Sequence, residues 1–224
     1  MRRGPVLCYV TDRRLLAKME AEDPREALLG RIEAAASAGV DWIQIREKDL
    51  SGRDGVLLVR EALRRVRKSS AGQAVPALLT VNDRLDIALS EHAGGVHLGE
   101  QGLPVAEAKR LAGSHADSRD FLVGVSCHSL EAARSAERDG ADYLFFGPVF
   151  ATPSKAAGGA PQGLERLAEV SAAVSIRVIA IGGITMENAA GCLRAGAAGL
   201  AAIRLFQQAE DPASLVLALR KLAR

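Results

Sequence analysis

The feature that most constrains this chain is an alternation sustained from one end to the other: a short β-rich run, then a longer segment of helical period, eight times over. The candidate strands are Val6–Val10, Trp42–Arg46, Ala77–Val81, Gly95–Leu98, Phe121–Val125, Tyr143–Phe146, Arg177–Ala180 and Gly199–Ala202. Helical segments fall at 24–38, 54–68, 84–91, 104–112, 129–138, 161–173, 186–195 and 212–223. Strands separated by helices can rejoin one sheet in the same direction, so the alternation predicts a parallel sheet. Eight such units in 224 residues fit an α/β fold, a (β/α)8 TIM barrel at the short end of its usual size. The alternative is an open doubly wound sheet, and the absence of G-x-G-x-x-G after the first strand argues against it.

Local punctuation agrees with the repeat. Ser129 and Thr185 stand where helix N-caps are needed, and Pro104 suits a first helical turn. Two helices end alike, at Ala38-Gly39-Val40-Asp41 and Asp139-Gly140-Ala141-Asp142, and Ala195-Gly196-Ala197-Ala198 repeats the form without the acid. Glycine there can take the left-handed conformation that stops a helix. No Pro/Ser/Gly linker divides the sequence, so residues 1–224 are expected to form one domain.

Charge excludes some classes of function. With 29 Lys+Arg against 27 Asp+Glu and a net charge of +2, an extended nucleic-acid surface is not expected. No apolar run approaches the roughly 18 residues of a membrane span, and Thr11-Asp12-Arg13-Arg14 interrupts any signal-peptide core. Cys8, Cys127 and Cys192 are widely spaced and odd in number, which favours neither a disulfide framework nor a zinc knuckle. The expectation is a cytoplasmic protein without nucleic-acid or membrane partners. The sequence does not set an oligomeric state.

In a closed parallel barrel the chemistry is built at the carboxyl ends of the strands. Gln44, Arg46 and Lys48 alternate after the second strand and so share a face, with Ile43 and Ile45 turned to the helices. Cations converging on a barrel mouth call for an anion, either a ligand or a protein acid such as Glu47 or Asp49. Asn82-Asp83 follows the third strand; Asp83 could cap the next helix or meet a Mg²⁺ that bridges phosphates. Ser126-Cys127-His128 ends the fifth strand, with His128 suited to proton transfer and Cys127 to packing. Thr152, Ser154 and Lys155 lie on a long loop and have the composition of an anion grip. Gly182-Gly183 and Ile203-Arg204 follow strands seven and eight, the usual phosphate site of this architecture. The histidines do not form a metal set, and His97 reads as a satisfied histidine on its strand.

The segments Gln44-Ile45-Arg46-Glu47-Lys48, Asn82-Asp83-Arg84, Gly95-Val96-His97-Leu98-Gly99, Gly124-Val125-Ser126 and Gly182-Gly183-Ile184-Thr185 resemble the thiamine-phosphate synthase family and its sister group, the thiazole tautomerases. The stretch from Gly140 to Lys155 matches as well, and the similarity runs from Tyr9 to Arg204. The resemblance implies a transferase of thiamine biosynthesis that joins aminomethyl-hydroxypyrimidine diphosphate to thiazole phosphate and releases diphosphate. It also implies that Gln44, Arg46, Lys48, Asn82, Ser126 and Lys155 hold the pyrimidine diphosphate, with Ser126 and Lys155 catalytic. Thr152, Ser154, Gly183, Ile203 and Arg204 would hold the thiazole phosphate, and Asp83 would bind Mg²⁺. Two positions depart from the family pattern. Gly102 stands where a second metal-binding aspartate is usual, and Arg204 where a small hydroxyl residue is.

Three readings follow. A Mg²⁺-dependent synthase leads, because the diphosphate-facing cations and Asp83 are kept. A tautomerase acting on carboxythiazole phosphate, with His128 as acid and base, would need no diphosphate metal and is favoured by Gly102. A non-catalytic barrel that binds phosphorylated ligands is the third.

Overall fold

The computed structural model describes residues 4–17, 22–70, 73–115, 120–152 and 160–222. Eight strands pair in sequence order and close on themselves: β1 (Val6–Val10), β2 (Trp42–Ile45), β3 (Leu78–Asn82), β4 (Gly95–Leu98), β5 (Leu122–Cys127), β6 (Tyr143–Phe146), β7 (Arg177–Ile181) and β8 (Gly199–Ala202). Every pairing is parallel, and β1 meets β8 with Leu7 opposite Leu200. The α/β TIM barrel expected from the alternation is the fold observed.

The helices are α1 (Arg13–Ala17), α2 (Pro24–Ala38), α3 (Gly52–Ser69), α4 (Leu85–Ser90), α5 (Val105–Gly113), α6 (Leu130–Arg138), α7 (Gly163–Ala173), α8 (Met186–Arg194), α9 (Arg204–Gln207) and α10 (Pro212–Lys221). The alternation did not foresee α1 and α9, which are too short to carry a helical period. Pro104 also sits one place earlier than expected, as the N-cap of α5 with ψ 139°. Ser129 does cap α6, its hydroxyl accepting from Ala132 N–H at 3.1 Å. No helix among the described residues is long and apolar enough to cross a membrane.

Strand alternation divides the core in two. Ile43, Ile45, Val123 and Val125 face outward and pack with α-helical Leu28, Ile32, Leu58 and Ala133. Cys8, Val10, Trp42, Tyr143, Phe145, Ile179 and Ala201 fill the barrel itself, so the interior is a packed core rather than a pore. The repeated Gly-x-Asp at the helix ends locks the amino side. Asp41 accepts from Leu7 N–H at 2.8 Å and pairs with Arg220 at 2.7 Å, while Asp142 accepts from Val123 N–H at 2.6 Å and pairs with Lys109 at 2.5 Å.

Candidate active site

A cavity of about 590 Å³ opens at the carboxyl ends of the strands, and Gln44, Arg46, Lys48, Asn82, Asp83, Ser126, His128, Thr152, Gly183, Ile203 and Arg204 all line it. Ser154 and Lys155 lie outside the described residues. A larger cavity of about 1100 Å³ opens at the opposite end. Two of the acids that line it, Asp41 and Asp142, serve the pairs described above, and in this architecture ligand chemistry belongs at the carboxyl ends of the strands.

On the second strand, Gln44 points into the barrel and is 1 % exposed. Its Nε2 donates to Asn82 Oδ1 at 3.1 Å, and Asn82 Nδ2 donates to Asp83 Oδ2 at 2.6 Å. Asp83 Oδ1 accepts from Gly99 N–H at 2.7 Å. Asp83 therefore does not cap α4, whose N-cap, Arg84, makes no side-chain cap bond. Its backbone takes φ 60°, a left-handed conformation that aspartate tolerates better than most residues.

The acids nearest in sequence to Arg46 and Lys48 are engaged elsewhere. Arg13 forks onto Asp49, and its N–H donates to both oxygens of Glu47 at 3.1 Å. Glu47 also accepts from the Thr11 hydroxyl at 2.7 Å, and Thr11 Oγ1 accepts from Arg46 N–H at 3.0 Å. Burial pushes the Glu47 pKa up against these bonds. The first turn of the unforeseen α1 thus removes the acids that could have neutralised the strand-two cations. Among the described residues Arg46 forms no ion pair, and Lys48 stands 3.7 Å from Asp83 with both side chains well exposed. Such a pair is worth little in water and leaves the ammonium available to an anion.

Ser126 Oγ stands 3.0 Å from Nε2 of His97, whose Nδ1 is 3.2 Å from the Tyr143 hydroxyl. His97 is satisfied, as expected of a strand histidine, but it also lines the cavity. Burial, helped by the Arg46 charge, pushes its pKa down to about 3, so the ring is neutral. His128 bonds the Gly147 carbonyl through Nδ1, and its Nε2 lies 3.7 Å from Glu100. A carbonyl can only accept, so in neutral His128 the proton is on Nδ1 and Nε2 carries the lone pair. Burial holds the Cys127 thiol up at about 12, which suits packing rather than chemistry.

The side of the cavity beyond strand seven is shaped by backbone. Gly182 and Gly183 have φ 96° and 66°, and a Cβ on Gly183 would come within 2.6 Å of the Ala151 carbonyl. Asn188 braces this turn, accepting from Thr185 N–H and donating to the Gly183 carbonyl, both at 2.8 Å. Arg204 begins α9 and is exposed at the cavity rim.

Among the described residues no three His, Cys, Asp or Glu side chains gather to hold a metal. The acids lining the cavity are Asp83 and Glu100. One carboxylate still suits Mg²⁺, which keeps waters and takes its remaining ligands from substrate phosphates. A Cβ at Gly102 would fall 3.6 Å from Asp83 Oδ1, so this glycine is part of the acidic corner that Asp83 occupies.

The sequence matches the family described as thiamine monophosphate synthase over residues 8–206. It is 44% identical to a thiamine-phosphate synthase of Chloroflexus aurantiacus over 85% of this chain and 83% of that one. Against a thiamine-phosphate synthase of Chlorobium luteolum it is 41% identical, over 93% and 88% of the two chains. Among solved structures, a thiamine phosphate pyrophosphorylase from Pyrococcus furiosus superposes with a TM-score of 0.78 at 34% identity, covering 97% of this chain and 94% of that one. With barrel, cavity and sequence in agreement over most of its length, the chain belongs to the thiamine monophosphate synthase family.

Proposed function

We propose that the chain is a thiamine-phosphate synthase, a transferase that couples aminomethyl-hydroxypyrimidine diphosphate to thiazole phosphate and releases diphosphate. The observation that carries this is Arg46, without an acid partner among the described residues, in one cavity with Lys48 and the Gln44–Asn82–Asp83 chain. The reaction breaks the bond between the pyrimidine methylene carbon and a diphosphate oxygen, leaving a stabilised pyrimidine-methyl cation. The thiazole nitrogen then attacks that carbon. Negative charge grows on the leaving oxygens, and Arg46 and Lys48 neutralise it where it develops. Gln44 and Asn82 orient the pyrimidine diphosphate, and Ser126 hydrogen-bonds it. Thr152, Gly183 and the Ile203-Arg204 turn hold the phosphate of the thiazole at the other side of the cavity. Ser154 and Lys155 complete the two grips on this reading.

Asp83 would hold Mg²⁺ against the diphosphate. When bound, the ion would supply positive charge that stabilises the leaving group. Departure needs no general base, which suits a mouth richer in cations than in acids. The substrates are small phosphorylated molecules, in keeping with a cytoplasmic enzyme.

One observation favours the tautomerase alternative. His128 lines the same cavity with Nε2 turned toward Glu100, and Gly102 supplies no second metal acid. A single assay separates the readings. The purified protein is given both substrates with and without Mg²⁺, and separately the carboxythiazole tautomer. Metal-dependent release of diphosphate with product is the expected result. Turnover of the tautomer alone, abolished by His128→Ala, would replace it, and silence in both with phosphate binding retained would leave a binding barrel.

A further inference from the structure

Ser126 reaches the cavity from β5, but what its hydroxyl presents there is decided one layer below. Gly124 lies two residues earlier on the same face of that strand, in register with His97 on β4 and Tyr143 on β6. A Cβ at 124 would come within 2.1 to 2.4 Å of the Tyr143 ring. Only glycine lets His97 and Tyr143 meet across the intervening strand. Both residues are 1 % exposed, and the Phe145 ring packs on the imidazole at a centroid distance of 4.1 Å.

A neutral imidazole has a single N–H, so the contacts on its two nitrogens have opposite sense. If Nδ1 carries the hydrogen, it donates to Tyr143, the Ser126 O–H is drawn onto Nε2, and the cavity meets a serine lone pair. If Nε2 carries the hydrogen, it donates to Ser126 Oγ, and the serine O–H turns into the cavity. The surroundings favour the second. Burial holds the Tyr143 phenol pKa well above its usual range, so the oxygen keeps its hydrogen, and His97 Nδ1 at 3.2 Å is an acceptor within its reach. A buried phenol O–H that donates to Nδ1 is satisfied, and the ring hydrogen then sits on Nε2, 3.0 Å from Ser126 Oγ. The cavity beyond Ser126 is lined by Arg46, Lys48 and Arg204, so its occupant is an anion that needs donors.

We propose that Tyr143 is a positioning residue which, through the Nε2–H tautomer of His97, turns the Ser126 hydroxyl outward as a hydrogen-bond donor to an anionic oxygen in the cavity. The relay Tyr143 to His97 to Ser126 then runs one way, each group donating to the next. It rests on the synthase reading only for the identity of the anion, the diphosphate group.

Two measurements test it. Nitrogen-15 NMR of histidine-labelled, otherwise unaltered protein reads the His97 tautomer directly, and the Nε2–H form is expected. Calorimetric titration with inorganic diphosphate compares the wild type with Tyr143→Phe, Ser126→Ala and the double variant. Tyr143→Phe should weaken binding roughly fivefold to tenfold, and should weaken it no further once Ser126 is alanine. An Nδ1–H tautomer, or losses that simply add in the double variant, would overturn the relay. Tautomer and coupling as expected, in a protein without synthase turnover, would keep the relay and remove the synthase reading.

Discussion

Asp83 is held ready by three contacts: Gly99 N–H on one oxygen, and Asn82 Nδ2 with a loosely placed Lys48 on the other. None of them is so deep that a cation could not replace the lysine. What the corner lacks is a second acid, and Gly102 marks the place. Its φ lies outside the left-handed region, and a side chain there would press on the Gly99 carbonyl at 3.1 Å while reaching toward Asp83. Gly102→Asp should therefore tighten Mg²⁺ in the presence of diphosphate by about tenfold, or roughly 1.4 kcal/mol, as measured by calorimetry. An unchanged affinity would remove Asp83 from the metal site. At this scale the sequence was legible where alternation applies: Gln44 points inward as its place on the strand dictates, and Arg46 and Lys48, beyond the end of β2 at Ile45, line the same cavity. It was silent on Arg13, since nothing in a linear reading says that the first turn after β1 reaches Glu47 and Asp49. The part proposed for Tyr143 was hidden for the same reason, because His97 and Gly124 lie on β4 and β5.

At the scale of elements, the Gly-x-Asp endings show how a repeat is tuned. In all three copies the residue at the fourth place donates its N–H to the preceding strand, Asp41 to Leu7, Asp142 to Val123 and Ala198 to Val178. In two of them the carboxylate also accepts an N–H of that strand and binds a cation from a helix. The backbone bond sets the register, and the acid adds stability to it. Asp142→Ala leaves Val123 N–H and Lys109 without their acceptor, and should cost about 1–2 kcal/mol in denaturant unfolding. A loss of less than a few tenths would mean that water replaces the carboxylate fully. The eight strands and eight long helices were readable because each carries its own period. The short helices α1 and α9 were not, since four or five residues hold barely one turn, and their helicity comes from packing Leu16 and Phe206 into the core rather than from pattern.

Across the whole molecule the two ends of the barrel carry different electrostatic arrangements. At the amino end Asp41 and Asp142 are held in pairs, and Arg220 on the last long helix bonds Asp41 at 2.7 Å, the Gly39 carbonyl at 3.2 Å and the Pro5 carbonyl, tying that helix to the start of the sheet. At the carboxyl end Arg46 has no acid within pairing distance among the described residues, and its charge works against His97 below it. A barrel can afford this division because its closed sheet and packed interior hold the strand tips in place whatever they carry. The ends should therefore separate in experiment. Arg220→Ala should lower unfolding stability by about 2 kcal/mol, since it strands Asp41 and two carbonyls, and leave diphosphate affinity unchanged. Arg46→Ala should leave the unfolding midpoint nearly where it was and weaken diphosphate binding at least tenfold, a charge-assisted bond being worth roughly 1.5–3 kcal/mol. If Arg46→Ala instead destabilised the fold as much as Arg220→Ala does, the mouth would be a structural charge cluster, and the cavity would lose its claim to an anionic ligand.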